Sequence, residues 1–294
     1  MRFRQILTTP MTFFQTIIIL GFLVLLLILF YPHVESFFIF YPDKVLEATP
    51  ADCNLTFQEI FFETPDHLHL HGWYFPGNHS QPVILFCHGN AGNISHRLDN
   101  VRRLVNQDLR VFLFDYRGYG RSEGNPSEKG IYTDGLAAYD YLLKGKHLSP
   151  EKIVLFGRSL GGAVATEIAL KRKVRSLILE SAFTSTRDMA RTIPLFRIFT
   201  PVIPRHFNNL KKLSLVTVPK LIIHGTRDEI VPFSQGRKLF TNALPPKHFF
   251  PLEGAGHNDT YIVGGPRYFQ TISTFARDSG IPQDLENRSS LQGG

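Results

Sequence analysis

A serine follows an apolar stretch in VLFGRSLGGAVA, residues 154–165, with a glycine two positions away on each side. This pattern predicts a sharp turn from a strand into a helix, which lifts the Ser159 hydroxyl out of a sheet. Gly157 and Gly161 form the predicted nucleophile elbow. The pentapeptide alone is weak, because chance produces it in roughly one chain in ten of this length. The apolar strand before it and the small-residue helix after it strengthen the prediction.

A serine hydroxyl is a poor nucleophile at neutral pH, so it needs a base and an acid that orients the base. Asp228 follows the apolar KLIIHG and is the predicted acid, and His257 follows FFPLEGAG and is the predicted base. Glu180, at the end of LILE, is a second possible acid. The chain order Ser, Asp, His favours a catalytic triad over unrelated loop residues.

Acyl transfer also needs donors for the negative charge that develops on the substrate oxygen. The amide of Leu160 is one predicted donor of this oxyanion hole. The loop HGNAGN follows another apolar stretch and contains glycines that allow close backbone approach, so the Asn90 amide is the second predicted donor. In FDYRGYGRSEG, Asp115, Arg117 and Ser122 predict a turn held by polar contacts.

These residues need a scaffold, and apolar stretches alternating with helical ones supply it. The predicted strands are 55–63, 68–75, 83–87, 111–114, 153–156, 177–179, 221–223 and 249–252. The predicted helices are 94–105, 129–143, 160–170, 234–243 and 266–275. Apolar strands separated by helices predict an α/β fold with a mostly parallel sheet covered on both faces.

The motifs HGNAGN, FDYRGYGRSEG, GRSLGG, HGTRDEIVP and GAGH together resemble the α/β-hydrolase superfamily over residues 55–275. They are most similar to its membrane-associated single-domain hydrolases, the branch related to depalmitoylases. The resemblance implies the α/β-hydrolase fold, Ser159 as nucleophile, Asp228 as acid, His257 as base, and no cofactor or metal. Those depalmitoylases are tethered through a lipidated, cysteine-rich N-terminus, which this sequence replaces with an apolar segment.

That apolar segment predicts a membrane anchor. Residues 8–34 contain no Asp, Glu, Lys or Arg, and 16–31 are long and apolar enough to cross a bilayer as a helix. Arg2 and Arg4 precede it, which places the N-terminus in the cytoplasm and the catalytic domain on the far side of the membrane. A cleaved signal peptide is the alternative, but no small-residue cleavage site follows, so an uncleaved anchor is favoured.

The sequence therefore divides into an N-terminal segment with the anchor, a juxtamembrane linker, a hydrolase domain and a flexible tail: residues 1–35, 36–54, 55–280 and 281–294. A short cap insert, 184–217, interrupts the hydrolase domain between two predicted strands. Such an insert emerges at the carboxyl ends of the strands, where ligands bind. Its apolar residues either line an acyl-binding lid or pack a helix onto the domain.

The composition fits one substantial core, with 294 residues, 43% hydrophobic and 19% charged. The net charge of +7 is concentrated, since residues 171–220 hold eleven Lys and Arg against Glu180 and Asp188. This patch either meets anionic headgroups or is a solvated face. No nucleic-acid-binding motif occurs. Cys53 and Cys87 are too few for a disulfide framework; Cys87 is predicted to be buried, and a bridge between them stays open.

His67, His69 and His71 recur at the two-residue period of a strand. Three histidines on one face are able to ligate a metal, but the sequence places no carboxylate or cysteine beside them, so a solvated strand face is favoured.

The leading hypothesis is a membrane-anchored serine hydrolase that cleaves esters or thioesters through an acyl-enzyme, with fatty acyl substrates as a candidate class. A serine peptidase of the aminopeptidase type is one alternative, and a non-catalytic binding or scaffold protein is another. The sequence predicts no oligomeric state.

Overall fold

The structure is a computed structural model that describes residues 13–19, 21–22, 36–201 and 203–280. The chain divides into two units, Met1–Tyr41 and Pro42–Gly294. In the first unit, residues 13–19, 21–22 and 36–39 are helical. Among all the described residues, no helix is both long enough and apolar enough to cross a membrane. The predicted anchor, 16–31, lies mostly outside those residues.

The second unit is built around one eight-stranded sheet: β1 (Gln58–Glu63), β2 (His69–Phe75), β3 (Val83–Cys87), β4 (Arg110–Phe114), β5 (Ile153–Arg158), β6 (Ser176–Glu180), β7 (Lys220–Gly225) and β8 (Lys247–Leu252). Their order is β8-β7-β6-β5-β3-β4-β2-β1. The β1–β2 and β2–β4 pairs are antiparallel, and the other pairs are parallel. The predicted mostly parallel sheet is therefore confirmed. Two short strands, Tyr41–Pro42 and Ala91–Gly92, lie outside it.

The α-helices described in this unit are α1 (Leu98–Val105), α2 (Glu128–Lys144), α3 (Leu160–Lys171), α4 (Thr186–Ala190), α5 (Pro194–Arg197), α6 (Asn209–Leu213), α7 (Phe233–Asn242) and α8 (Thr260–Asp278). Three single-turn 3₁₀ helices cover Pro50–Cys53, Ile94–Arg97 and Pro150–Lys152. Ile84 and Phe86 of β3 pack with α1 and α8 in one apolar cluster. Because side chains alternate along a strand, Val83 and Leu85 face the other side of the sheet.

The predicted strands and helices are observed with differences at their ends, and the short cap helices α4, α5 and α6 were not predicted. Residues 94–97 form a 3₁₀ turn before α1 begins. The last helix begins at Thr260 and bends at Gly265, where φ is 52°; its straight second part begins at Pro266, where the helix was predicted to start. Proline suits that position because it lacks the N–H that a first helical turn leaves unpaired.

Residues 43–47 belong to the predicted linker but are fastened to the catalytic unit. The Asp43 amide donates to the Gly92 carbonyl over 3.2 Å, and the Asn93 side chain donates to the Val45 carbonyl over 2.6 Å. The Glu47 amide donates to the Ser95 hydroxyl. Residues 43–47 therefore lie along the loop that follows β3.

Candidate active site

Ser159 stands between β5 and α3 with φ 53° and ψ −116°. This backbone conformation is rarely adopted by residues other than glycine, so the surrounding structure must enforce it. A Cβ on Gly161 would lie 1.9 Å from the carbonyl oxygen of Cys87, and one on Gly157 would lie 2.4 Å from the Gly161 oxygen. Neither glycine tolerates a side chain, which explains why both flank the serine. The predicted turn is present in the structure.

Ser159, Asp228 and His257 come from three separate strand ends and meet at one edge of the sheet. Nε2 of His257 lies 3.1 Å from Oγ of Ser159. Nδ1 of the same ring lies 2.8 Å from Oδ2 of Asp228. All three residues are buried, with 8%, 7% and 5% exposure for Ser159, Asp228 and His257. This is the arrangement in which imidazole can accept the serine proton while the carboxylate holds its other nitrogen.

Asp228 sits in a shell of donors. Its Oδ1 accepts hydrogen bonds from the amides of Ile230 and Val231, over 3.0 and 2.7 Å. Nε2 of His224 lies 3.3 Å from Oδ2 and donates mainly to the Val231 carbonyl over 2.8 Å. Burial alone would raise the pKa of Asp228, but the hydrogen bonds from His224 and His257, the charge of His257 and the Val231 amide hold that pKa well below its ordinary value. The carboxylate therefore stays ionised beside His257.

Glu180, the second possible acid, is engaged elsewhere. It is fully buried and accepts hydrogen bonds from Arg158, over 3.0 Å, from Thr260, over 2.6 Å, and from Tyr268. Arg158 also donates to the backbone carbonyl of His257 over 2.8 Å. Arg158 therefore joins the end of β6, through Glu180, to the loop that carries His257, and Asp228 is the acid that faces the imidazole.

The loop HGNAGN lies directly against the nucleophile. A Cβ built on Gly89 would lie 3.6 Å from the Ser159 Cβ, an ordinary van der Waals contact, so the loop backbone lies beside the serine. Asn90 follows it and is half-buried. Leu160, the other predicted donor, is the first residue of α3, so its amide belongs to the positive end of a helix. Leu160 therefore follows Ser159 directly in the chain, and Gly89, the neighbour of Asn90, lies beside Ser159 in space.

Three consecutive carbonyls of this loop are held by side chains. Tyr116 donates to the His88 oxygen over 3.0 Å, and Tyr119 donates to the Asn90 oxygen over 2.7 Å. Between them, Nδ1 of His88 donates to the Gly89 oxygen over 2.8 Å. The C=O and N–H of a trans peptide point in opposite directions. The last bond therefore also fixes the direction of the Asn90 N–H.

His88 itself is fully buried, and its Nε2 lies 3.5 Å from Oδ1 of Asp115. Burial, helped by the charge of Arg97, lowers the pKa of His88 to about 3, so the ring is neutral. Burial also raises the pKa of Asp115 well above its ordinary value, despite a hydrogen bond from the Ile94 amide. The hydrogen bond to the Gly89 carbonyl places the proton of the neutral ring on Nδ1, and Nε2 has no hydrogen-bond partner among the described residues.

The predicted polar turn after β4 is confirmed by its contacts. The Ser122 hydroxyl donates to the Asp115 carbonyl over 2.8 Å and accepts from the His71 amide over 2.9 Å. The Arg117 guanidinium donates from Nε to Asp134 over 2.9 Å. These bonds fix the segment that presents Tyr116 and Tyr119 to the loop HGNAGN.

The histidines of β2 differ from the prediction. His71 is buried, so the expected solvated face is wrong for this residue. Carboxylates also lie beside them, contrary to the sequence-based expectation, because neighbouring strands and turns bring them in: His67 contacts Glu63, His69 contacts Glu123 and His71 contacts Glu59. Each imidazole has its own partner, and within the described ranges the three histidines form no shared group of metal ligands.

Another group has the composition of a metal site. Donor atoms of Asp43, Glu47 and His96 lie within 4.8 Å of one another. However, Nδ1 of His96 accepts a hydrogen bond from the Asn93 amide over 3.0 Å, which places the ring proton on Nε2, facing Glu47 at 3.3 Å. A nitrogen that carries a proton has no lone pair for a cation, so the observed bonds serve the loop.

The cysteines do not pair. Cys53 and Cys87 are free thiols, which excludes the bridge that the sequence left open, and Cys87 is buried as predicted. Burial raises the pKa of the Cys87 thiol far above its ordinary value, although a hydrogen bond with Tyr116 opposes this. Cys87 therefore behaves as a small apolar residue.

Sequence reasoning missed the residues that hold the site together: His224, Arg158, His88, Tyr116 and Tyr119. Arg158 had a readable signal, because a charged residue inside a buried strand needs a partner. The hydroxyl groups of the two tyrosines gave none, because their acceptors are backbone carbonyls in a distant loop.

Comparisons with known proteins agree with this architecture. The profile of the alpha/beta hydrolase fold matches residues 82–197. An uncharacterised Mycobacterium tuberculosis protein is 36% identical over 230 residues, which cover 76% of this chain and 80% of the relative. WAV2 of Arabidopsis thaliana, an alpha/beta hydrolase domain-containing protein, is 35% identical over 255 residues, with 79% and 82% covered. Bem46 of Schizosaccharomyces pombe is 35% identical over 247 residues, with 79% and 81% covered.

Solved esterase structures share the fold. Esterase Pf2001 of Pyrococcus furiosus has a TM-score of 0.67 at 20% identity, covering 80% of this chain and 97% of its own. An Exiguobacterium antarcticum esterase has a TM-score of 0.60 at 20% identity, covering 74% and 99%. By its fold and by its relatives over most of its length, this chain belongs to the α/β-hydrolase family.

Proposed function

We propose that this protein is a membrane-anchored serine hydrolase that cleaves ester or thioester bonds. The observation that carries the proposal is the contact of His257 with both partners, Nε2 at 3.1 Å from the Ser159 oxygen and Nδ1 at 2.8 Å from the Asp228 carboxylate. A buried serine, imidazole and ionised carboxylate in this order are the parts that acyl transfer requires.

In the proposed reaction, Oγ of Ser159 attacks the acyl carbon while its proton passes to Nε2 of His257. The amides of Leu160 and Asn90 stabilise the oxyanion. The bond to the leaving alcohol or thiol breaks, and His257 returns the proton to that group. Water then attacks the acyl-enzyme and loses a proton to His257; the bond to Oγ of Ser159 breaks, His257 returns that proton to Oγ, and the acid is released. Asp228 stays ionised throughout and stabilises the imidazolium.

The cap favours esters over peptides. An aminopeptidase needs an acidic group to hold the substrate amine, and the cap contains one acid, Asp188. That carboxylate already accepts hydrogen bonds from Thr184 and Ser185 and pairs with Arg191 at 2.7 Å. The apolar N-terminal segment supports a location at a membrane, with the catalytic unit on the far side. Fatty acyl substrates fit that location.

The test is hydrolysis of p-nitrophenyl esters from acetyl to palmitoyl by the full chain in detergent. Ser159→Ala is expected to lower kcat by about 10³-fold or more. Ser80→Ala, which alters an exposed loop serine, is the matched control and should leave kcat unchanged. The proposal fails if wild type turns over no ester, or if Ser159→Ala matches wild type. Cleavage of aminoacyl-naphthylamides without ester cleavage would instead identify a peptidase.

A further inference from the structure

The middle of the cap exposes large apolar side chains. We call residues 191–199 the cap tip. Leu195 is 70% exposed, Ile198 74% and Phe199 51%, and Ile193 is also exposed. Neighbouring apolar side chains that face water together commonly mark an interaction site, because leaving them solvated is unfavourable. We therefore expect the cap tip to contact a partner.

The two ends of the cap are attached to the domain, and four of the five exposed large apolar side chains described in the cap lie in the tip; Leu215 is the fifth. At the first end, the Thr184 amide donates to the Gln235 side chain over 2.9 Å. At the other end, the Asn209 side chain donates to the Phe183 carbonyl over 2.8 Å. Phe207 is buried there. The packing interpretation of the cap therefore holds for its ends, and the tip lies between them in sequence.

The charge of the cap selects the partner. Residues 184–217 contain one acid, Asp188, and six bases: Arg187, Arg191, Arg197, Arg205, Lys211 and Lys212. Arg191, whose guanidinium pairs with Asp188 at 2.7 Å, and Arg197 flank the apolar side chains of the tip, and both are exposed. A second copy of the chain would bring the same positive charge against this surface, and like charges repel. An anionic surface is complementary.

Two other cations of the basic stretch noted in the sequence, Lys220 and Arg175, are held by carbonyl groups of the domain. Lys220 is fully buried, and its ammonium donates to the Val216 carbonyl over 2.9 Å. Arg175 donates to the Ala276 carbonyl over 2.8 Å. Exposed cations of the stretch lie in the tip, at Arg191 and Arg197, and also outside it, at Lys171, Lys173, Arg205 and Lys211.

We infer that the cap tip docks on an anionic lipid bilayer, with Leu195, Ile198 and Phe199 entering the boundary between headgroups and acyl chains. Arg191 and Arg197 lie at phosphate level, where long cationic side chains keep their charge in water. This surface goes beyond the proposed hydrolysis and does not depend on it. It places the cap between the lipid and the carboxyl edge of the sheet.

The experiment uses the full chain reconstituted into vesicles, with the environment-sensitive fluorophore NBD attached at Leu195→Cys in a Cys53→Ser background. Cys87 is buried and does not compete for the label. The control label is at Glu151→Cys, which is exposed beside the amino end of β5, at the opposite edge of the sheet. Vesicles contain phosphatidylcholine alone or mixed with phosphatidylglycerol, and nitroxide-bearing acyl chains act as quenchers.

Docking predicts a blue shift and nitroxide quenching at position 195 in anionic vesicles, weaker quenching in neutral ones, and none at position 151. Arg191→Gln with Arg197→Gln should lower the docking equilibrium constant roughly thirty-fold, because each arginine near an anionic surface contributes about five-fold. Arg191→Lys with Arg197→Lys, which keeps the charge, should dock as wild type does.

Three results would overturn the inference: no quenching at position 195 in either vesicle, equal quenching in both, or fluorophore self-quenching in lipid-free detergent that rises with protein concentration, which would reveal a second copy as the partner. Hydrolysis of p-nitrophenyl acetate, a soluble ester, is measured on the same samples. Its presence without docking, or docking without it, separates this inference from the proposed function.

Discussion

The candidate active site and the cap both follow strands at the carboxyl edge of the sheet, but the site consists of buried side chains and the cap tip of exposed ones. At the site, Ser159, His257 and Asp228 are buried and bonded to one another or to backbone groups. At the tip, Leu195 and Ile198 are largely exposed. Bond formation needs reacting atoms held within a fraction of an ångström, whereas docking on a fluid surface needs only area and charge. The comparison separates residues that set the chemistry from residues that set the location.

The largest expected effect comes from the acid of the site. Asp228→Asn should lower kcat by about 10⁴-fold, because the amide no longer holds His257 in the right tautomer or stabilises its positive charge. Steady-state hydrolysis of p-nitrophenyl butyrate measures this. Asp140→Asn, a matched change at an acid that pairs with Arg172 on the surface, should leave kcat unchanged. Equal kcat values for both variants would remove Asp228 from the mechanism.

The second prediction concerns the ion pair between Arg158 and Glu180, whose arginine also donates to the backbone of His257. Arg158→Met should destabilise the fold by about 3 kcal/mol, because it leaves the buried Glu180 carboxylate without its cation. Urea unfolding of wild type, both single variants and the double variant Arg158→Met/Glu180→Gln measures the coupling. The double variant should recover part of the loss. Simple additivity of the two single changes would show that the pair is not coupled.

The third prediction tests the orientation of the Asn90 amide. His88→Phe keeps a buried ring but removes the donor to the Gly89 carbonyl, so kcat should fall roughly 10- to 100-fold with little change in KM. His88→Gln, which retains an N–H donor, should recover part of kcat. Binding of a boronic acid that mimics the tetrahedral intermediate should weaken in parallel with kcat. A loss of stability with kcat and boronate affinity intact would give His88 a purely structural role.

The smallest predicted effect is on the free energy of unfolding and comes from Asp188 in the cap. Burial would raise the pKa of Asp188, but hydrogen bonds from Thr184 and Ser185 and the charge of Arg191 lower it overall. An acid with a lowered pKa in the folded state stabilises the fold above its unfolded pKa of 3.8, and that stabilisation is lost as pH falls through the folded pKa.

Asp188→Asn should therefore cost at most about 1 kcal/mol at pH 7, and the difference from wild type should shrink as pH falls below 3.8. Urea unfolding at pH 7 and at pH 3 checks both the size and the sign. Hydrolysis of short soluble esters should be unchanged. A large loss of that activity would show that the cap and the site are not separable.

Much of the fold was predictable because most buried strands are continuous apolar stretches and the longer helices lie between them. Asp228 and His257 were readable for a related reason: each follows such a strand, and parallel strands bring their carboxyl ends to one edge. The burial of His71 was not, since it depends on which strands become neighbours. The same holds for Tyr116 and Tyr119, whose acceptors lie in a loop distant in sequence.

The cap is a region in which the sequence did not predict which apolar side chains are buried. Its apolar residues predicted either a lid or a packed helix, because composition alone does not say which side chains find partners. In the structure Phe207 is buried and Leu195 is exposed, although both are large and apolar. That division depends on where the ends of the insert are fastened, and Thr184 and Asn209 bond to distant partners.

The most direct test of the central claim is reaction of the full chain with a fluorophosphonate, followed by peptide mass spectrometry. Ser159 should displace fluoride and carry the phosphonyl group, wild type should label at least about 10³-fold faster than Asp228→Asn, and Ser159→Ala should carry no label. A label on another residue, or none on wild type, would contradict the account.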